Sequence, residues 1–298
     1  MDYKEVLKIA SEHLVNLKDQ TMEVVDIAKP PTIDYARHLS KVVSKLSPLV
    51  GNMIEYNVCL ELNKLDWKGL GTWVRQDPGF PDTIFRGSVL PNPGIEVKTW
   101  FPLATEITAR FKDSVNFFTE EPTNIALVAW LPEHIIYGKP KIIDVWVGSA
   151  KSLAEARDKH YHNPPDYLVF EPEDTTSRTS NLQQTNTNGY KFQGTADQFK
   201  KAEKQVKKWG KNGKIFLPTL EYQLMTKELL RKFPYRLDTN FAKIDRIKHA
   251  GLEAFKTEVL QTKMFGHEIN IWAKLISDDE GDTISLIKDL IEAENKKS

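Results

Sequence analysis

Cysteine is all but missing from this chain. The 298 residues contain one, Cys59, which excludes an internal disulfide and an iron–sulfur set. No Cys/His cluster has zinc spacing. A single cysteine inside an apolar stretch reads as a small buried residue and sets an expectation of a reducing compartment, the cytoplasm. Long apolar runs are missing too. The longest, 125–131, is far short of the about 20 residues that a bilayer requires, so no membrane association is expected. Met1-Asp2-Tyr3-Lys4-Glu5 lacks the basic-then-apolar pattern of a secretory signal. No phosphate-cradling Walker loop is present, so ATP is not implied. Nor is there an excess charge of either sign: 41 basic residues balance 41 acidic ones. Attraction to a polyanion would therefore have to come from a local patch.

What is present points to one large domain of mixed α/β class. Its core is expected at about 48–218, with a helical elaboration at about 219–298. Hydrophobic periodicity predicts helices near 3–17, 34–46, 49–63, 149–160, 196–209, 219–232, 241–262 and 283–294. It predicts strands near 72–75, 82–86, 94–100, 124–131, 141–147, 166–170 and 214–217. The run 124–131 reads as a strand buried on both faces, with 141–147 as its partner.

Two short segments carry the chemistry. Gly79-Phe80-Pro81-Asp82 opens one predicted strand, and Gly94-Ile95-Glu96-Val97-Lys98 is another. The turn formers of 88–94 between them let the chain double back. Side chains alternate along a strand, so Glu96 and Lys98 share a face while Ile95 and Val97 point to a core. A hairpin brings Glu96 beside Asp82. Two carboxylates on neighbouring strands repel unless a cation sits between them, and Mg2+ takes one or two carboxylates while keeping places for water and phosphate. Asp2-Tyr3-Lys4, Asp66-Trp67-Lys68 and Glu294-Asn295-Lys296 fit the short half of this pattern, but none follows a Pro-Asp at hairpin distance.

Pro81-Asp82 … Glu96-Val97-Lys98 resembles the signature of the PD-(D/E)xK nuclease superfamily, and Gly94-Ile95-Glu96-Val97-Lys98-Thr99 is similar to the active-site strand of type II restriction endonucleases and of the mismatch-repair nicking endonuclease. The resemblance implies a central mixed β-sheet flanked by helices, a restriction-endonuclease-like core with helical elaborations. It implies that Asp82, Glu96 and the Val97 carbonyl bind Mg2+ and that Lys98 positions the attacking water. Family members often add a glutamate from a helix before the hairpin, and Glu55 stands at that place. Read from the residues alone, Glu55 lies either on a solvated helix face or toward the metal.

Two further segments bear on DNA. The stretch 199–214 holds seven lysines and one glutamate, with Phe199, Ala202, Val206 and Trp209 at inward helical spacing. Lys200, Lys201, Lys204, Lys207 and Lys208 are either a solvated helix face or phosphate contacts, which gain from counterion release. The segment 175–193 is nearly all amide and hydroxyl side chains. Arg178, Gln183, Gln184, Asn186, Asn188 and Lys191 are candidate DNA contacts there, since Asn and Gln can pair with adenine and Arg with guanine. The alternative is a polar surface loop. His160-Tyr161-His162, before Asn163-Pro164-Pro165, reads as a helix end.

The resulting expectation is a Mg2+-dependent type II restriction endonuclease that acts on double-stranded DNA as a homodimer, two sites being needed for two strands. A nicking or repair nuclease with the same site and a non-catalytic DNA-binding protein are the alternatives.

Overall fold

The computed structural model describes residues 1–76, 79–111, 122–161, 168–170, 189–192, 194–210, 220–238 and 243–277. In chain order the elements are α1 (Tyr3–Val15), α2 (Ile33–Val42), α3 (Ser47–Leu62), β1 (Gly71–Arg75), β2 (Thr83–Gly87), β3 (Gly94–Trp100), β4 (Thr123–Pro132), β5 (Pro140–Ser149) and α4 (Ala150–Tyr161). They continue with β6 (Leu168–Phe170), β7 (Gly189–Phe192), α5 (Ala196–Lys207), α6 (Leu220–Lys232), β8 (Tyr235–Asp238), α7 (Ala250–Gln261), β9 (Lys263–Met264), β10 (His267–Glu268) and α8 (Ile269–Ser277). Two compact units emerge, one drawn from Met1–Ala109, Ser114–Leu153 and His249–Ser298, the other from Arg110–Asp113 and Ala154–Lys248. The 48–218 core expected from the sequence is thus divided between them.

The first unit is a five-stranded mixed sheet in the order β1-β2-β3-β4-β5, flanked by helices. All neighbours run antiparallel except β3 and β4, which are parallel. β4 is buried at every position but Asn124, as a strand covered on both faces must be, and this is why its sequence is a continuous apolar run. Asp2 caps α1 by accepting the Glu5 N–H at 2.9 Å, and Val6, Ala10 and Leu14 form its inward stripe toward β4 and β5. Thr32 caps α2 in the same way, accepting the Tyr35 N–H at 3.2 Å.

The packing of α3 assigns the two faces of the sheet. A Cβ placed on Gly51 would lie 2.7 Å from Thr99 Oγ1, so this helix rides closely over the odd-numbered side chains of β3. On that face Trp73 and Phe85 are cross-strand partners on β1 and β2, and Trp67 closes an edge-to-face triad with centroids 5.3–5.9 Å apart. Trp67 is anchored by donating its indole N–H to Leu62 O at 2.8 Å, at the end of α3. The even-numbered face carries Val74, Ile84, Glu96, Lys98 and Trp100. It is covered by α7 at Trp100, where Phe255 packs 6.2 Å away, but Val74 at its other end is 42% exposed.

The second unit has a three-stranded sheet, with β6 parallel and β8 antiparallel to the middle strand β7. A capping box of Thr195 and Gln198 starts α5, and Ala202, Val206 and Leu229 form a small core with Phe199, Trp209 and Phe233 against it.

Several predicted elements differ. The single helix expected at 241–262 is a 3-10 turn at Ile244–Arg246 and then α7, because Ile247 and His249 are extended. The break falls where the chain passes from one unit to the other, with Ile244 and Ile247 buried before it and Leu252 and Phe255 after it. Residues Gly189–Phe192 of the polar segment 175–193 are strand β7, paired with β8. α8 and β8 had no sequence expectation, and the elements expected at 214–217 and 283–294 lie outside the described residues. Among the described residues, no helix is long and apolar enough to cross a membrane.

Candidate active site

Asp82, Glu96 and Lys98 converge where the ladder between β2 and β3 runs out. The last paired residues are Thr83 and Ile95. Two places further along the same register, Val97 faces Pro81, which has no N–H to donate. Side chains take over the hydrogen bonding from there. Asp82 Oδ2 accepts the Val97 N–H at 2.7 Å, and Glu96 Oε2 accepts the Asp82 N–H at 3.1 Å. An extended residue sends its N–H and C=O toward the same neighbour. The Val97 carbonyl therefore faces the Asp82 side and receives no rung from Pro81. The chemistry of the site follows from this local failure of pairing: two carboxylates and one main-chain carbonyl gather at the gap.

Lys98 completes the cluster. Its ammonium donates to Glu96 Oε1 in a very short contact and lies 3.8 Å from Asp82 Oδ2. Glu96 is buried, at 6% exposure, and burial is the main influence on it. Burial pushes its carboxyl up to about 7 despite the opposing pull of the Lys98 ammonium, and the Asp82 charge adds to the rise. For Lys98, burial acts to lower the pKa, but Glu96, Asp82 and, more weakly, Glu55 outweigh it, so the ammonium is held charged. Glu55 is half-buried on α3, one turn beyond Gly51, whose close approach to β3 brings the helix to the strand. Its charge acts on Lys98 in the same direction as Glu96 and Asp82, as the weakest of the three.

The oxygens present suit a hard divalent ion. Asp82, Glu96 and the Val97 carbonyl are all oxygen donors, and no nitrogen or sulfur ligand competes among them. A buried carboxyl held up near 7 by its surroundings is one that a nearby cation would return to the ionised form. Among the described residues, no group of three or more His, Cys, Asp or Glu is set to hold a metal, so any ion here would rest on few protein ligands with water or phosphate completing its shell.

The remaining candidates distribute as follows. Lys200, Lys201, Lys204 and Lys207 on α5, and Lys208 at its C-cap, are all exposed, opposite the buried Ala202 and Val206. At 100° per residue they span an arc of about 120°. Lys207 pairs with Glu203 at 3.4 Å. Lys191 stands on β7 opposite Arg236. Arg178, Gln183, Gln184, Asn186 and Asn188 lie outside the described residues. Two residues that the sequence reading passed over lie beside the cluster. Gln76 continues the β1–β2 pairing, its N–H reaching Asp82 O at 2.8 Å, and its amide touches both Pro81 O and Arg86. The alternation rule places Arg86 on the face of Asp82, so this signal was available.

Compared with protein-family models, curated proteins and solved structures, the chain gives no match. The functional reading therefore rests on the residues and their geometry.

Proposed function

We propose that this chain is a Mg2+-dependent endonuclease of the PD-(D/E)xK kind, with a restriction-endonuclease-like core, that hydrolyses phosphodiester bonds of double-stranded DNA at a short specific sequence. One observation carries the reading: Asp82, Glu96 and Lys98 meet at the unpaired end of the β2–β3 ladder, where the Val97 carbonyl faces the same gap. Asp82, Glu96 and that carbonyl would hold the ion. When bound, Mg2+ would polarise a phosphoryl oxygen and make a bound water more acidic. Lys98, kept charged by its carboxylate neighbours, orients the attacking water and offsets negative charge at the phosphorus. In-line attack would leave a 5′-phosphate and a 3′-hydroxyl. Glu55 supports the same cluster from α3. The lysine face of α5 supplies phosphate contacts, and two copies of the chain cut the two strands.

Incubating the wild-type protein with phage DNA and Mg2+ tests this. Discrete bands that vanish on chelation are the expected result. Intact DNA across a range of Mg2+ concentrations and substrates of varied sequence would overturn it.

A further inference from the structure

Beside the catalytic cluster, on the same face of the sheet, stands a cation that the proposed chemistry does not use. Arg86 is the fourth residue after Asp82 on the same strand, so its side chain projects to the same side. It is exposed, and Ile84 and Val74 between it and the cluster are half-buried and exposed. Its hydrogen-bond partner is neutral: the Arg86 Nη2 donates to Gln76 Oε1 at 3.2 Å, and among the described residues no carboxylate is ion-paired with it. Gln76 is itself held, donating its amide N–H to Pro81 O at 2.9 Å while its own main-chain N–H reaches Asp82 O at 2.8 Å. A guanidinium is thus tied by one uncharged side chain to the two residues that open the active-site strand. A guanidinium held by an uncharged amide on an open face offers its remaining donors outward, in the fork that matches phosphate oxygens.

Spacing agrees with a ligand that continues past the cluster. Four residues of strand separate the α-carbons of Asp82 and Arg86 by about 13 Å, and the Arg86 guanidinium reaches back along the strand to the Gln76 amide that holds Pro81 O, so the cation stands closer to the cluster than its α-carbon does. A duplex presents a phosphate on each strand every ~3.4 Å of helix axis, so a strand whose scissile phosphate lies at Asp82 has further phosphates within reach of Arg86. The amide is suited to the linking role because a carboxylate there would neutralise the guanidinium and repel the ligand. Val74 and Ile84, which lie between the two points on this face, are both apolar.

We propose that Arg86 is a DNA-backbone anchor that grips a phosphate a few nucleotides from the scissile one, and that Gln76 is the positioning residue that sets its guanidinium in register with Asp82. This rests on the nuclease reading above. The arrangement ties substrate grip to the catalytic strand itself, so that a correctly seated backbone and a correctly placed Asp82 depend on the same Gln76 amide.

The test measures binding of a labelled duplex by fluorescence anisotropy, with Ca2+ replacing Mg2+ to prevent cutting, for wild type, Arg86→Ala, Arg86→Lys, Gln76→Ala and, as a control for simple loss of charge, Lys8→Ala on α1. Each affinity is followed across salt concentration, and cutting and thermal midpoint are measured alongside. Arg86→Ala is expected to weaken binding about five- to tenfold and to reduce the salt slope by about one, with kcat within twofold and the thermal midpoint unchanged. Arg86→Lys should keep the slope and recover part of the affinity. Gln76→Ala should weaken binding about two- to threefold with the slope intact, and Lys8→Ala should change neither. Affinity and slope unchanged in Arg86→Ala, in a protein that binds and cuts DNA, would overturn this inference and leave the nuclease reading standing. A wild type that neither binds nor cuts would overturn the nuclease reading itself.

Discussion

Lys98→Ala should bind duplex DNA within about threefold of wild type yet cut it on the order of a thousandfold more slowly at saturating Mg2+. The size follows from what the ammonium does. It is a fixed charge in a mostly buried setting, in contact with Glu96 and 3.8 Å from Asp82, and removing one preorganised charge at a reacting centre costs about 10²–10³ in rate, with a lost proton-handling group of similar weight. Binding should survive because the proposed contacts to the DNA backbone, Arg86 and the lysine face of α5, are other residues. Single-turnover cutting of a plasmid beside anisotropy of the same duplex separates the two quantities. Normal cutting by Lys98→Ala would remove the assigned active site.

Gly94→Ala should damage both stability and activity, although it adds one methyl group four residues from Lys98. Gly94 is buried, and a Cβ there would lie 2.3 Å from Pro81 Cγ and 3.3 Å from Pro81 Cβ. A proline ring cannot rotate away as a free side chain can. Something must shift, and overpacking of this kind costs about 1–3 kcal/mol. The residue displaced is the one before Asp82, and misplacing a reacting group by about 1 Å can cost on the order of 10² in rate. Gly51→Ala serves as the contrast: its new methyl would meet Thr99 Oγ1 at 2.7 Å, a hydroxyl that can turn, so a smaller loss is expected. Urea unfolding and plasmid cutting of both variants check the ranking. Wild-type stability and rate in Gly94→Ala would show that the Pro81–Gly94 contact does not set the position of Asp82.

The clustering of Asp82, Glu96 and Lys98 was legible in the sequence because strand alternation is a local rule. Glu96 and Lys98 on one face, Ile95 and Val97 on the other, follow from period two alone, and the buried β4 follows from an unbroken apolar run. The gap that gathers the site was less legible. It depends on register between strands: only once Thr83 is known to oppose Ile95 does Pro81 fall opposite Val97 and leave that carbonyl without a rung. Gly94 looked like a turn residue, whereas its structural role is to make room for the Pro81 ring. Alternation places Arg86 on the face of Asp82, but its link to Gln76 on the neighbouring strand depends on the same register. The helix expected at 241–262 failed for another reason. Its apolar spacing is continuous, but Ile244 and Ile247 serve the packing of one unit and α7 that of the other, which no local periodicity reports. The short strands β7 and β8 carry too few residues for an alternation signal.

A divalent ion lodged between Asp82 and Glu96 should be detectable as binding of Mn2+, which shares the preference of Mg2+ for oxygen ligands, followed by electron paramagnetic resonance. Because the Glu96 carboxyl is held up at about 7 and must lose its proton to serve as a ligand, binding should be about tenfold tighter at pH 8 than at pH 6. Asp82→Asn and Glu96→Gln should each lose it at both pH values. Wild-type protein that takes up no ion at pH 8, or that binds no more tightly than the two variants, would mean that Asp82 and Glu96 form no metal site.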